Sequence, residues 1–99
     1  MSKAVKKIVI VGGGTAGWLT AAIVAAQHKT DDNNGLQIVL VESSDIPTVG
    51  VGEGTWPTMK NTLQQIGLKE SEVFARCHAG FKQGGKFVDW VHGNGDFYY

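Results

Sequence analysis

The stretch IVIVGGGTAGW, residues 8–18, constrains the fold more than any other part of the chain. Ile8 to Val11 are apolar and β-branched, and Gly12 follows at once. Such a run reads as a strand over residues 8–12, buried on both faces in the manner of a parallel sheet. Beyond it, Leu19, Ile23 and Ala26 recur at helical spacing, with Trp18, Ala22 and Ala25 beside them. A helix with so many small residues can lie close against a sheet. At the junction stand Gly12, Gly14 and Gly17, in the spacing G-x-G-x-x-G. Each has a separate duty there. Gly12 permits the tight turn, Gly14 lets the backbone approach a pyrophosphate, and Gly17 lets the helix pack onto the strand. Gly13, Thr15 and Ala16 complete the turn, and the helix N-terminus offers unpaired N–H groups and a partial positive charge to phosphates.

Such spacing is weak evidence alone, but its context strengthens it. DDNNG, residues 31–35, is a polar turn, and LQIVLVES, residues 36–43, reads as a second buried strand. Strand, helix and strand together make one βαβ unit, whose crossover should be right-handed. Glu42 ends the second strand 25 residues after Gly17. A carboxylate there accepts hydrogen bonds from the ribose hydroxyls of an adenosine and disfavours a 2′-phosphate, which argues against NADP. FAD and NAD both carry an ADP half, so the fingerprint does not separate them.

SSDIPTVGVGEGTWP, residues 43–57, is a long loop with Gly50, Gly52, Gly54 and two prolines, Pro47 and Pro57. Loops of this kind are more often functional than idle. Pro57 suits the first turn of a helix whose apolar face is Met59, Leu63 and Ile66. Gly67 should terminate it, with Leu68 packing just beyond. Ser71 is the expected cap of a short helix through Glu72, Val73 and Phe74. From Gly80 onward the chain looks extended, with KFVDW, residues 86–90, as the strand candidate.

The balance of the whole chain excludes some functions. Nine basic and nine acidic residues give a formal net charge of zero, which argues against nucleic-acid or anionic-membrane partners. No uninterrupted apolar stretch reaches the ~20 residues of a membrane span. Lys3, Lys6 and Lys7 before an apolar run resemble a signal peptide, but Gly12, Gly13 and Gly14 break that run. One cysteine, Cys77, cannot staple a secreted fold, so a cytoplasmic setting is expected, with Cys77 a small half-buried residue. His28, His78 and His92 lack metal-ligand spacing and read as structural or exposed, and no metal site is expected. A doubly wound sheet needs several parallel strands, whereas two good ones are present, and a lone βαβ unit leaves an open edge and an uncovered face. The chain also ends on three aromatics in GDFYY. The expectation is therefore that residues 1–99 are the N-terminal part of a single longer domain.

GGGTAGWLTA, joined to VESSDIPTVGVGEGTWP and then to FKQGGKFVDW, resembles the flavin-dependent tryptophan halogenases, across essentially the whole chain and in order. The glycine fingerprint is shared with many flavoproteins. Trp18, the GVGE loop and the F-K-x-x-x-K-F stretch are more specific in combination. The resemblance implies an α/β fold, the N-terminal βαβ of a Rossmann-like FAD-binding domain of the flavoprotein monooxygenase type, incomplete in this chain. It implies that reduced FAD, delivered by a separate, transient flavin reductase, reacts with oxygen and with chloride or bromide to give hypohalous acid. That oxidant reaches a lysine beside tryptophan or another indole or aromatic substrate. Lys82 aligns with the family's catalytic lysine, which either hydrogen-bonds the hypohalous acid or forms a haloamine. A desolvated lysine yields a nucleophilic amine, whereas a protonated one is a strong donor. Gly84 and Gly85 leave room around Lys82, and Lys86, on the same face if the segment is extended, is a solvated residue. By the same resemblance Ser43, Ile46 and Gly54 match positions that touch FAD, and IPTVGVGEG is the strap between flavin and halogenation sites. Glu53 in that strap either accepts loop N–H bonds or acts directly.

The chain departs from the family at Gly54, usually alanine, at Trp56, usually aliphatic, and at Gln83-Gly84-Gly85, often aliphatic. The family's W-x-W-x-I-P motif, its halide loop and its catalytic glutamate are not among these residues, without which halogenation is not expected. The alternatives are another FAD monooxygenase or oxidase in which Lys82 is incidental, and a non-catalytic nucleotide-binding fragment.

Overall fold

The computed structural model describes residues 4–28, 35–93 and 95–98. Strand β1 spans Lys7–Val11, helix α1 Thr15–His28 and strand β2 Gln37–Val41. The strands pair in parallel, Lys7 opposite Gln37 through Val11 opposite Val41. The ladder runs one residue further at each end, from the Gln37 N–H to the Lys6 carbonyl (2.8 Å) and from the Gly12 N–H to the Val41 carbonyl (2.9 Å). This is the expected βαβ unit in an α/β chain, with strand ends shifted by a residue or two. Asp31 to Asn34, the core of the expected turn, lie outside the described residues.

Burial departs from expectation in an informative way. In β1, Ile8 and Ile10 are partly covered, while Val9 and Val11 are 54% and 83% exposed. Helix α1 lies on one face of the sheet, and no other described element packs on it, so the strand is covered on one side only. Residues 21–25 of α1 are half-buried, because the helix touches β1, β2 and the next helix. Ala26, expected on its apolar face, is exposed. No described residue is fully buried. The radius of gyration is 18.1 Å, against about 13 Å for a compact domain of this length.

Helix α2, Thr58–Gln65, starts behind Pro57 as the sequence predicts, and Met59, Leu63 and Ile66 form its covered side. Gly67 ends it at φ 81°, with the Leu68 N–H bonded back to the Leu63 carbonyl at 2.9 Å. Helix α3, Glu70–Arg76, is capped at Lys69 rather than Ser71: the Glu72 carboxylate accepts from the Lys69 N–H at 3.2 Å. That reach-back satisfies a donor which Ser71, already inside the first turn, cannot serve. Cys77 is exposed, since α3 ends there without a neighbouring layer. The expected strand shortens to β3, Lys86–Val88, because Asp89 adopts φ 50° and turns the chain. It forms an antiparallel hairpin with β4, Asp96–Tyr98, which the sequence reading did not anticipate. The Asp89 carboxylate accepts from the Gly95 N–H, and the Asp89 N–H returns a bond to the Gly95 carbonyl, both at 3.0 Å. No helix among the described residues is long and apolar enough to cross a membrane.

Candidate functional site

The glycine turn divides its labour much as the spacing implies. Gly12 adopts φ 122°, a conformation that side chains resist. A Cβ on Gly17 would overlap the Gly12 carbonyl oxygen and stand 3.6 Å from the Ile10 side chain, so only glycine lets α1 approach the turn. A Cβ on Gly14 would meet nothing within 4 Å, so the backbone there borders open space. A Cβ on Gly13 would overlap the Glu42 side chain, which folds across the turn from the end of β2. The first turn of α1 contains no acidic residue. Its first bond runs from the Trp18 N–H to the Gly14 carbonyl at 3.1 Å, so the N–H groups of Thr15, Ala16 and Gly17 precede the intrahelical ladder.

A cleft of about 500 Å³ opens over this turn. Gly12, Gly13, Gly14, Glu42, Ser43 and Ile46 line it, so six of the ten expected cofactor-binding residues meet at one place. Pro47, Thr48 and Val49 complete the wall, although sequence reasoning named them only as part of a strap. Ser43 turns its hydroxyl to its own loop, accepting from the Asp45 N–H at 3.2 Å. Gly54 lies outside the cleft.

Gly54 instead lies beside Lys82. A Cβ on Gly54 and one on Gly85 would each stand 3.9 Å from the Lys82 Nζ. The Nζ also lies 5.8 Å from the centre of the Trp56 ring, within cation–π range. Of the two glycines expected to leave room around Lys82, Gly85 lies beside it, joined by Gly54, but burial is not found: the Lys82 side chain is exposed. Lys86 does not share its setting. Its Nζ lies 5.8 Å from the Tyr98 ring on the hairpin, while Lys82 precedes β3. Glu53 accepts from the Val51 N–H at 3.2 Å and holds the loop's shape. His28, His78 and His92 are all exposed, and no group of three metal-binding side chains occurs among the described residues.

One loop thus serves two places. Ile46 to Val49 wall the glycine-turn cleft, and Gly54 and Trp56 flank Lys82. The five peptide units from Val49 to Gly54 span at most about 18 Å.

The family model described as tryptophan halogenase matches residues 7–99. The chain is 44% identical over 91 residues to the 7-chloro-L-tryptophan 6-halogenase KtzR of Kutzneria sp. (strain 744), covering 92% of this chain and 17% of that one. It is 34% identical over 91 residues to the flavin-dependent halogenase armH5 of Armillaria mellea, covering 92% of this chain and 16% of the other. The crystal structure of tryptophan halogenase from Shewanella frigidimarina NCIMB 400 superposes with a TM-score of 0.77 at 45% identity, over 98% of this chain and 20% of that one. The chain thus spans a fifth or less of the length of each of these proteins. With the fold, the glycine turn and nearly every residue after β1 begins included in these matches, the chain belongs to the tryptophan halogenase family.

Proposed function

We propose that the protein is an FAD-dependent halogenase acting on tryptophan or another indole or electron-rich aromatic compound. The observation that carries this reading is the single loop that walls the glycine-turn cleft at one end and flanks Lys82 at the other. A flavoprotein that makes a diffusible oxidant at one site and uses it at another requires such a connection. Its relatives named as tryptophan and flavin-dependent halogenases support the same chemistry.

The residues present fit FAD. The open backbone at Gly14 and the N–H groups of Thr15, Ala16 and Gly17 suit a pyrophosphate, and Glu42 suits the adenosine ribose. Gly12, Gly13, Ser43 and Ile46 line the same cleft, while Gly54 serves the lysine end of the strap. When bound in its reduced form, received from a separate flavin reductase, FAD supplies the electrons with which dioxygen converts chloride or bromide to hypohalous acid.

The chain's own contribution to halogenation is Lys82. Its ammonium donates a hydrogen bond to the oxygen of the hypohalous acid, which strengthens as hydroxide departs. The halogen passes to an aromatic carbon, the ring proton is lost, and water is the second product. A neutral amine would instead take the halogen first, as a haloamine. The uncovered Val9 and Val11 and the expanded dimensions support a further reading: residues 1–99 are the opening part of one larger FAD-binding and halogenating domain, whose later strands and helices cover that face.

The test supplies the full-length protein with reduced FAD, oxygen, bromide and a panel of indoles including tryptophan, with products read by mass spectrometry. A monobrominated indole is the expected product. Flavin oxidation without any brominated compound across the panel would favour a monooxygenase or oxidase instead.

A further inference from the structure

Lys82 projects from a segment without helix or strand, and its side chain is exposed. A long, flexible amine in that setting samples many rotamers, and holding it costs side-chain entropy. A halogen-transfer lysine must nevertheless present its nitrogen at one point. Gly54 and Gly85 lie beside the Nζ but offer no side chain. The group that faces it is the Trp56 ring, 5.8 Å from Nζ to ring centre.

The backbone of Trp56 is well fixed, although the residue is 57% exposed. It occupies the last strap position before Pro57, and its carbonyl accepts from the Met59 N–H at 2.9 Å as α2 begins. The backbone that carries the indole is therefore anchored to a helix, whereas the lysine is not. Indole is the best of the aromatic faces for a cation. The attraction acts on the ammonium, the form of the side chain that donates hydrogen bonds.

Resting on the halogenase reading above, we infer that Trp56 is the positioning residue for Lys82: its ring holds the lysine ammonium against Gly54 in the strap and orients it as a hydrogen-bond donor to the oxidant. An exposed cation–π contact corresponds to a population bias of about two- to fivefold, and this sets the size of the effect.

Two measurements on the full-length protein test this. The first is independent of turnover. Carbon-13-labelled lysine side chains are followed by NMR, and the Lys82 ε-methylene signal is assigned by its loss in Lys82→Ala. In the wild type the ring current should shift that signal upfield. Trp56→Leu should return it to the position of a free lysine, and Trp56→Phe should leave an intermediate shift. The second compares halogenated product formed per flavin oxidised. Trp56→Leu should lower that ratio about two- to fivefold, Trp56→Phe should restore part of it, and FAD affinity should remain at the wild-type value. An unshifted Lys82 signal in the wild type, or a product ratio unchanged in Trp56→Leu, would overturn the inference. A ring-current shift lost in Trp56→Leu, in a protein that halogenates nothing, would uphold the hold on Lys82 and refute the halogenase reading.

Discussion

Replacing Gly17 by alanine should damage cofactor binding as well as global stability, and the geometry explains both. The new Cβ overlaps the Gly12 carbonyl oxygen and sits 3.1 Å from the Gly12 carbonyl carbon. Those atoms are backbone. Their strand end is tied by the Gly12 N–H to the Val41 carbonyl at 2.9 Å, so the turn cannot step aside. The start of α1 must retreat instead, on the order of 1 Å, before an ordinary contact is restored. Overpacking of this kind costs about 1–3 kcal/mol. The same movement carries the N–H groups of Thr15 and Ala16 away from the open space at Gly14. Hydrogen bonds to charged groups contribute about 1.5–3 kcal/mol each, and weakening one of them predicts a fall in FAD affinity of roughly tenfold or more. The assay is a flavin-fluorescence titration of the full-length protein, with urea unfolding measured on the same samples. An alanine variant that binds FAD within a factor of two of wild type would refute the assignment of Gly17 to close helix packing at a ligand-bearing turn.

Three further outcomes follow from the same geometry. Gly54→Ala should be tolerated, with the urea midpoint and FAD affinity unchanged, because its Cβ makes an ordinary 3.9 Å contact with Lys82 and meets nothing closer. Glu42→Gln should weaken FAD about fivefold in the same titration, since a neutral amide makes the weaker ribose hydrogen bonds, by about 1 kcal/mol. Gly67→Ala, at φ 81°, should destabilise the protein by about 1 kcal/mol in urea unfolding while leaving flavin affinity intact, because the α2 terminator is remote from the cleft.

The sequence made the βαβ unit legible because its signals are local and agree with one another. A β-branched run, three spaced glycines, a small-residue helix and a second apolar run admit few other arrangements. The same holds for Pro57 and Gly67 at the two ends of α2, where a fixed φ and a positive φ determine the boundaries. What escaped was set by neighbours. The continuous apolar run of β1 matches a doubly covered strand, but among the described residues one helix lies on it, and Val9 and Val11 remain exposed. The β3–β4 hairpin depends on Asp89 adopting a positive φ and pairing with Gly95, and neither follows from periodicity. At the candidate site, the glycine spacing and the acid after β2 were readable in the sequence, and the structure brings Gly12, Gly13, Gly14 and Glu42 to one cleft. The approach of Lys82 to Gly54 and Trp56 was not, because it joins segments more than twenty residues apart. The signal that could have found it was Trp56 itself, an aromatic ring at the end of a glycine-rich loop.

The most direct test of the central claim compares the full-length wild type with Lys82→Ala, each given reduced FAD, oxygen, bromide and the indole panel. Flavin oxidation and brominated product are quantified in parallel. The account predicts equal rates of flavin oxidation in both proteins, with a brominated indole formed by the wild type alone. Equal bromination by the two proteins would contradict it, and would make Lys82 an ordinary solvated lysine beside a glycine loop.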